Sequence, residues 1–594
     1  MLSGIVVYGI VYQFYVKWFD RSVVQSDPNR PTPAHTYLDG VEFFPSNKYV
    51  MLGWHWKSIA ALGPVTGPAL AIVWGWLPGF LWILIGNSLL GWLHDYNSMV
   101  SSVRNEGASL GPLTYQLIGT RARKVLVAFL AFYSILIFAA FLGALLPVVK
   151  NTGAGGAAAM VSFILIAVIG VASGFAIFRA KINVIAVTGT SLAAVALSVY
   201  LSQVVFGTAI NSAFVSAVPD ALLREDILLI SMLGFSFLGA VLPLWSFAMP
   251  INYLGFYVAY FVIAAIIGSS FVAPQTFAQP AFTNWFAPVV IGAGSGAIST
   301  ISFPLWPLLF VTIACGACSG WHGLIGSSLS SKQLDNEADA HFVGGGAMLL
   351  EGILGLTSVV AVGALTSTSG GALSLYVNGG ARYLSNLLIP SAASTAIMAL
   401  MVLILGLTLT QLALRFARLA ISEMVGKRFL KNIYVTSILV SIITFVLTST
   451  RFSAPWGFIW TLFGGSNQLL AGVTLLVTTL WLAKIKRKTF LTGIPAIFML
   501  GTTIVALGYT AYATLDIAAT TSDPLKVYGN AVAGGIAVIL TILGIVLSYD
   551  GFRAYRQIRV GGVSAPAMTP GPVLAKAGDS ETPKPAFTGE LSET

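Results

Sequence analysis

The chain has 594 residues, of which 56% are hydrophobic and only 9% are charged. Soluble domains carry about 25% charged residues, so this composition indicates a polytopic membrane protein and argues against a soluble enzyme. The formal net charge of +10 does not indicate nucleic-acid binding, because the basic residues lie in loops between apolar segments. The two cysteines lie three residues apart in an apolar segment, which excludes a secreted disulfide framework.

Apolar segments long enough to cross a bilayer, at about 20 residues each, follow one another along the chain. Residues 2–19 lack a basic start and a small-residue cleavage site, so we interpret them as a retained membrane helix. Residues 1–52 are then one membrane helix and a cytoplasmic loop. The sequence predicts an all-α fold with about 15 transmembrane helices, at 2–19, 53–74, 78–102, 124–149, 158–178, 183–207, 227–249, 251–273, 304–331, 341–366, 393–424, 431–450, 456–483, 489–515 and 529–552.

The distribution of basic residues predicts the orientation of these helices. Cytoplasmic loops of membrane proteins carry an excess of Lys and Arg. With the N-terminus outside and the C-terminus inside, only Lys150, Arg224, Arg382, Arg451 and Lys526 of the 31 Lys and Arg residues lie outside. The last part of the chain, 557–594, is rich in Pro, Ala, Gly, Ser and Thr, so we expect a disordered cytoplasmic tail.

The segment 53–74 is apolar enough to span a membrane, yet its middle contains two Gly-Pro steps, Gly63-Pro64 and Gly67-Pro68. Each proline removes a backbone donor and biases the preceding glycine away from helical angles. Unpaired backbone groups are costly in lipid, so a break survives only inside protein or beside a polar cavity. The pattern predicts a broken helix of the kind that lines transporter sites, with a packed proline kink as the alternative.

A second interruption is predicted in the segment 227–249, which reads Pro-Leu-Trp-Ser at 243–246 and runs in the opposite direction across the membrane. Five helices in 53–207 can therefore be laid against five in 227–424, each set opening with a broken helix. This is the arrangement of an inverted-repeat transporter, inferred from pattern and not from sequence identity between the halves. Residues 431–552 are then peripheral transmembrane helices.

Ionisable residues at membrane depth are rare and are functional candidates. Glu351 lies well inside its predicted span, where burial favours a carboxyl that loads and releases a proton. The alternative is a protonated carboxyl that hydrogen-bonds a neighbouring helix. Asp95 lies nearer the cytoplasm, where a transport role competes with simple pairing to a loop Lys or Arg. The role of the adjacent His94 stays open.

The segment 304–331 carries Cys315, Cys318 and His322, which fall at i, i+3 and i+7 and so on one face of a continuous helix. Thiolates and an imidazole suit a soft metal, but three ligands on one straight helix do not close a tetrahedron. We therefore predict no metal site and keep metal binding as the open alternative. His322, with the neighbouring Ser319, is assigned to substrate contact or proton relay.

The run Phe-Gly-Gly-Ser-Asn-Gln at 463–468 predicts a local unwinding of the span 456–483, because its glycines weaken the helix and its amides need partners in lipid. A gate and a structural helix junction both fit this pattern. The sequence has no Walker loop, no nucleotide-binding fold and no Ser-His-Asp cluster, so neither a primary pump nor an enzyme is indicated and no cofactor is expected.

Several motifs resemble the carbon starvation protein A family. They occur in the family's order at 27–33, 39–43, 45–48, 60–68, 77–79, 240–245, 313–322 and 463–472. The resemblance implies a prokaryotic inner-membrane secondary transporter for pyruvate or short peptides, used in carbon starvation. It also implies a LeuT-like core of two inverted five-helix repeats, with 53–74 as the first core helix, 227–249 as the sixth and 304–331 as the eighth. The chain departs from the family pattern in its shorter N-terminal region and in Cys318.

The sequence thus predicts a proton-coupled, alternating-access symporter in the lipid bilayer, with Glu351 and Asp95 as proton carriers. The alternatives are a membrane nutrient sensor that binds the same ligands without transport, and a channel. The sequence does not decide whether the substrate is pyruvate or a peptide. It also does not exclude sodium as the coupling ion. The predicted substrate-binding residues are Gly63, Pro64, Thr66, Gly67, Pro243, Trp245, Ser246, Ser319 and His322.

Overall fold

The computed structural model describes residues 1–150, 156–291, 298–425 and 427–561. This part of the chain is mostly helical. Most of the predicted tail lies outside the described residues, and the last described helix ends at Arg559.

Ten helices of the described residues are long and apolar enough to cross a membrane, or eleven if the bent pair Lys48–Ile59 and Gly63–Trp74 counts as one span. Runs of this length satisfy their backbone groups internally, which lipid requires. The chain is therefore a multi-pass membrane protein. The ten helices are Trp76–Val103, Thr120–Lys150, Gly156–Phe178, Val184–Val205, Ala248–Val272, Glu337–Gly363, Ser391–Val425, Trp456–Lys484, Phe490–Thr520 and Pro524–Arg559.

The prediction of about 15 spans is not confirmed at that number, because four predicted segments fall short. Residues 2–19 are helical, with α and π turns, but they are not among the ten long apolar helices. The helix Ala221–Val241 carries charged residues near its start, and Ile433–Thr448 has only 16 residues. The segment 304–331 is split into short helices.

The first broken segment consists of Lys48–Ile59 and Gly63–Trp74, which are bent by 44° relative to each other. The predicted break is confirmed, but it lies at residues 60–62, just before the first Gly-Pro step. Pro64 lies in the first turn of the second half, where its missing N–H has no helical partner to lose. Pro68 is accommodated inside that half.

The second broken segment consists of Leu305–Thr312 and Gly320–Ser328, with non-helical residues 313–319 between them. The predicted continuous helix over 304–331 is therefore wrong, and so is the predicted single face of Cys315, Cys318 and His322. Neighbouring side chains take up carbonyls that the break frees. The Trp82 indole donates to the Ile313 carbonyl at 3.0 Å, and the Gln468 amide donates to the Phe310 carbonyl at 3.0 Å.

The interruption predicted within 227–249 is instead a turn between two separate helices. Ala221–Val241 ends before Pro243, and Ala248–Val272 continues as a full span. The Arg415 guanidinium caps the first of these helices by donating to the Leu242 carbonyl at 2.5 Å.

The helix Trp456–Lys484 runs without interruption, so the unwinding predicted at 463–468 is wrong. The glycine serves close packing instead, because a Cβ on Gly464 would collide with the Val311 carbonyl of the second broken segment. The two amides find partners outside their own helix, as described for Gln468 above and for Asn467 below.

Smaller elements connect or accompany the long helices. Arg104 donates to Glu337 and Lys332 donates to Glu42, and the surface around these two pairs is here called the basic face. A two-stranded antiparallel sheet, Phe286–Ile291 and Ser299–Pro304, pairs Phe286 with Pro304. Further helices are Pro33–Thr36, Leu110–Leu117, Gly207–Ala217 and Ala372–Ser385.

Candidate proton and substrate site

The two broken segments meet at their breaks. A Cβ on Gly67 would lie 2.6 Å from the Thr312 carbonyl oxygen, and a Cβ on Gly63 would overlap the Cys315 sulfur. Only glycine allows so close an approach, because every other residue would push the two breaks apart. Thr66 Oγ1 donates to the Leu62 carbonyl at 3.0 Å, so this hydroxyl bonds back to the first turn of its own helix.

Beside these breaks, two carboxylates and two imidazoles form a continuous chain of contacts. Asp95 Oδ2 lies 2.9 Å from His322 Nδ1, and Asp95 Oδ1 lies 2.8 Å from His94 Nδ1. On its other side, His322 Nε2 lies 3.1 Å from Glu351 Oε2. All four side chains are fully buried. The second broken segment thereby contacts the helices that carry Asp95 and Glu351.

The two carboxyl groups in this chain of contacts differ in how many hydrogen-bond partners their oxygens have. Asp95 accepts aligned hydrogen bonds on both carboxylate oxygens. The contact between His322 and Glu351 is short but poorly aligned, and within the described residues neither Glu351 oxygen has a hydrogen-bond partner. A buried, unpartnered carboxyl is where an added proton or a bound ligand changes the energy most. Within this contact chain, Glu351 is therefore the residue where protonation or ligand binding would have the largest effect.

A second polar cluster surrounds the break of the second broken segment. The Asn467 amide nitrogen donates to Ser319 Oγ at 3.0 Å and to Cys315 Sγ at 3.3 Å. The side-chain oxygen of Asn467, Oδ1, accepts from the Tyr133 hydroxyl at 2.6 Å and from the Trp321 backbone N–H at 3.1 Å. One amide thus holds the start of the helix Gly320–Ser328 in place.

The chain matches the family described as carbon starvation protein CstA over residues 1–374 and 364–506. The chain belongs to this family. The peptide transporter CstA of Bacillus subtilis is 28% identical over 94% of this chain and 97% of that protein. The pyruvate/proton symporter BtsT of Escherichia coli is 31% identical over 61% of this chain, but this match spans about half of the symporter, 48%. A manganese transporter of Eremococcus coleocola aligns with 88% of this chain and 99% of its own, at 13% identity and a TM-score of 0.47.

In this CstA-family chain, most of the predicted site residues lie near one another. His322 contacts both Asp95 and Glu351, and Ser319 lies three residues before His322. The remaining members of this group belong to the start of the helix Gly63–Ala71, which packs against the second break: Gly63, Pro64, Thr66 and Gly67.

Pro243, Trp245 and Ser246 are not brought to this site, and their expected position there needs correction. The Trp245 ring lies 4.8 Å from the Arg179 guanidinium and 5.3 Å from the Phe175 ring, while Ser246 Oγ donates to the Pro243 carbonyl. The reason is the turn at 242–247, which joins two separate helices instead of breaking one.

Sequence reasoning missed several buried polar residues near the breaks. His55 Nδ1 lies 2.8 Å from Ser330 Oγ, and the Tyr133 hydroxyl contacts Asn467. The Lys57 ammonium, fully buried, donates to the Ala60 carbonyl at 3.0 Å. A lysine inside an apolar segment was the available signal, since such residues are rare at membrane depth.

Metal binding by the thiols finds no support in the geometry. Cys315 Sγ accepts from Asn467, and within the described ranges no group of three or more His, Cys, Asp and Glu side chains could hold a metal ion. Cys315 and Cys318 lie in the break, whereas His322 lies in the following helix and faces carboxylates.

Proposed function

We propose that this chain is an alternating-access, proton-coupled symporter that carries pyruvate or short peptides across the cytoplasmic membrane. Membership of the carbon starvation family supports transport, and two related proteins are named a peptide transporter and a pyruvate/proton symporter. This role requires no covalent catalysis, cofactor or resident metal. The N-terminus lies outside and the basic face lies in the cytoplasm, in keeping with the positive-inside rule.

The observation that carries the proposal is the buried contact chain from Asp95 through His322 to Glu351. A proton added to this unit changes its net charge by one in an environment where charge is expensive. His322 belongs to the short helix that follows the second break, so a change in its contacts acts directly on a movable half-helix. Loading and release of the proton are thereby linked to rearrangement at the breaks.

The two broken segments are the first and sixth helices of a LeuT-like core. Lys48–Ile59 packs against Gly320–Ser328, whereas Gly63–Ala71 packs against Leu305–Thr312, so the two segments cross in opposite directions. The second repeat then begins at Leu305, and both Ala221–Val241 and Ala248–Val272 lie between the repeats.

The substrate carboxylate binds between the two starting half-helices, which begin at Gly63 and Gly320. The positive end of the helix dipole at a helix start favours an anion. Thr66, Ser319 and His322 supply the side-chain contacts there. Proton binding at Glu351 completes the loaded state.

Solute counterflow in proteoliposomes tests this function. Vesicles loaded with unlabelled pyruvate, or with a dipeptide, should transiently accumulate the same labelled compound above its outside concentration. A receptor gives no counterflow and a channel gives no overshoot. Saturable counterflow with either compound is the expected result, and its absence with both, in protein that elutes as a single species, would overturn the proposal.

A further inference from the structure

Lys57 is a buried cation in the first broken segment that the contact chain of Asp95, His322 and Glu351 does not include. Its side chain is fully buried at the end of the helix Lys48–Ile59, three residues before Ala60. Within the described residues, no carboxylate oxygen lies within 4 Å of Nζ. A lysine without a contacting counter-ion at this depth is costly, so its position calls for an explanation.

The acceptors of Lys57 are backbone carbonyls from two different elements. Nζ donates to the Ala60 carbonyl at 3.0 Å, within the first break, and to the Leu405 carbonyl at 3.3 Å, in the helix Ser391–Val425. The stem passes Gly255 on the way, since a Cβ on Gly255 would lie 3.6 Å from the lysine Cγ. The ammonium therefore ties the broken segment to a neighbouring full-length helix.

Several groups around the Lys57 ammonium offset part of the cost of burying its charge. The last carbonyls of a helix have no internal partner and carry about half a negative charge together. Of the neighbouring carbonyls, Ser58 accepts from the Trp321 indole at 2.8 Å, which leaves Ala60 to the ammonium. Glu351, from the helix Ala347–Gly363, is a carboxylate whose field reaches Nζ without contact.

Carbonyl oxygens from an unwound break and from a facing helix are the usual ligands of a coupling metal cation in transporters with broken helices. Here the lysine occupies that position with a covalently attached cation. We propose that the Lys57 ammonium substitutes for a bound alkali cation, so that the closed arrangement of the first break forms without sodium or potassium. This inference rests on the proposed function, whose coupling ion it restricts to the proton.

The test is counterflow of the substrate in proteoliposomes prepared with choline, sodium or potassium as the only monovalent cation. The wild type should give the same initial rate in all three, within about twofold, because its cation is built in. Lys57→Ala should lose at least about tenfold in choline and recover part of that loss in sodium or potassium, as an external cation fills the vacated position. Lys57→Arg keeps the charge and should retain more activity in choline than Lys57→Ala.

The outcomes separate this inference from the proposed function. No wild-type counterflow in any salt overturns the proposed function. Wild-type counterflow that requires sodium or potassium overturns only the inference about Lys57, and this measurement does not depend on a variant that folds. Wild-type rates of Lys57→Ala in choline, or equal losses in all three salts in monodisperse protein, also overturn it.

Discussion

His322 Nε2 lies 3.1 Å from Glu351 Oε2, and both side chains are fully buried. The imidazole belongs to the second broken segment, whereas the carboxyl belongs to the uninterrupted helix Ala347–Gly363. This contact therefore joins the short helix after the second break to an uninterrupted helix.

Replacing Glu351 by Gln should separate proton coupling from substrate exchange. Glutamine keeps the shape of a protonated carboxyl but cannot release a proton. We expect accumulation driven by a pH gradient to fall at least about a hundredfold, while counterflow stays within about threefold of wild type. Glu423→Gln is the matched control, because this exposed carboxylate pairs with Arg123 away from the breaks and should leave both activities unchanged. Unimpaired accumulation by Glu351→Gln would remove Glu351 from the mechanism.

Replacing Asp95 by Asn should damage the structure as well as the coupling. Asp95 accepts from both His94 and His322, and loss of one partner from a buried network costs about 3–5 kcal/mol of the free energy of unfolding. We expect a lower thermal unfolding midpoint and loss of both counterflow and accumulation. Asp335→Asn, at an exposed carboxylate 2.8 Å from His35, is the control and should change neither. Asp95→Asn with a wild-type midpoint would mean that the pairing is not structurally important.

Replacing Gly67 by Ala should block the close contact between the two breaks. The new methyl group would lie 2.6 Å from the Thr312 carbonyl oxygen, so one of the two backbones must shift. We expect the counterflow rate to fall at least about tenfold. Gly508→Ala is the control, because nothing lies within 4 Å of the added carbon and alanine suits its helix. Equal rates for the two variants would contradict the meeting of the breaks.

Acid should weaken the basic face through Glu42. Burial raises the pKa of this carboxyl, but the Lys332 ammonium, 2.8 Å away, together with Arg415 and Arg418, lowers the pKa further and leaves it below its ordinary 4.5. A lowered folded-state pKa contributes stability that is present above 4.5 and is lost as the pH falls through the folded value. The unfolding midpoint of the wild type should therefore drop more steeply below about pH 4.5 than that of Glu42→Gln. Parallel curves for the two proteins would contradict this assignment.

Composition and the positions of proline were enough to predict the membrane class, most spans and the first break. Gly63-Pro64 signals its break locally, because proline limits the backbone wherever it occurs. The second break has no such signal at 313–319, where the freed carbonyls are held by Trp82 and by helix contacts from distant parts of the chain. The turn at Pro243 carries the same local signal as a broken helix, so sequence alone could not tell a break within one span from a junction between two.

For the candidate site, too, the sequence singles out individual residues but does not predict which of them are in contact. Glu351 and Asp95 stand out as charges in apolar segments, and their connection through His322 follows from tertiary packing that spacing does not encode. Asn467 stands out as an amide in a span, but its partners Tyr133 and Ser319 lie far from it in the sequence.

The most direct measurement of the central claim is uptake of labelled pyruvate and of a labelled dipeptide into sodium-free proteoliposomes, with and without an inward proton gradient. The account predicts that the gradient drives accumulation of at least one compound, that a protonophore abolishes it, and that Glu351→Gln does not respond to the gradient. The account would be contradicted by equal uptake with and without the proton gradient, or by gradient-driven accumulation in Glu351→Gln.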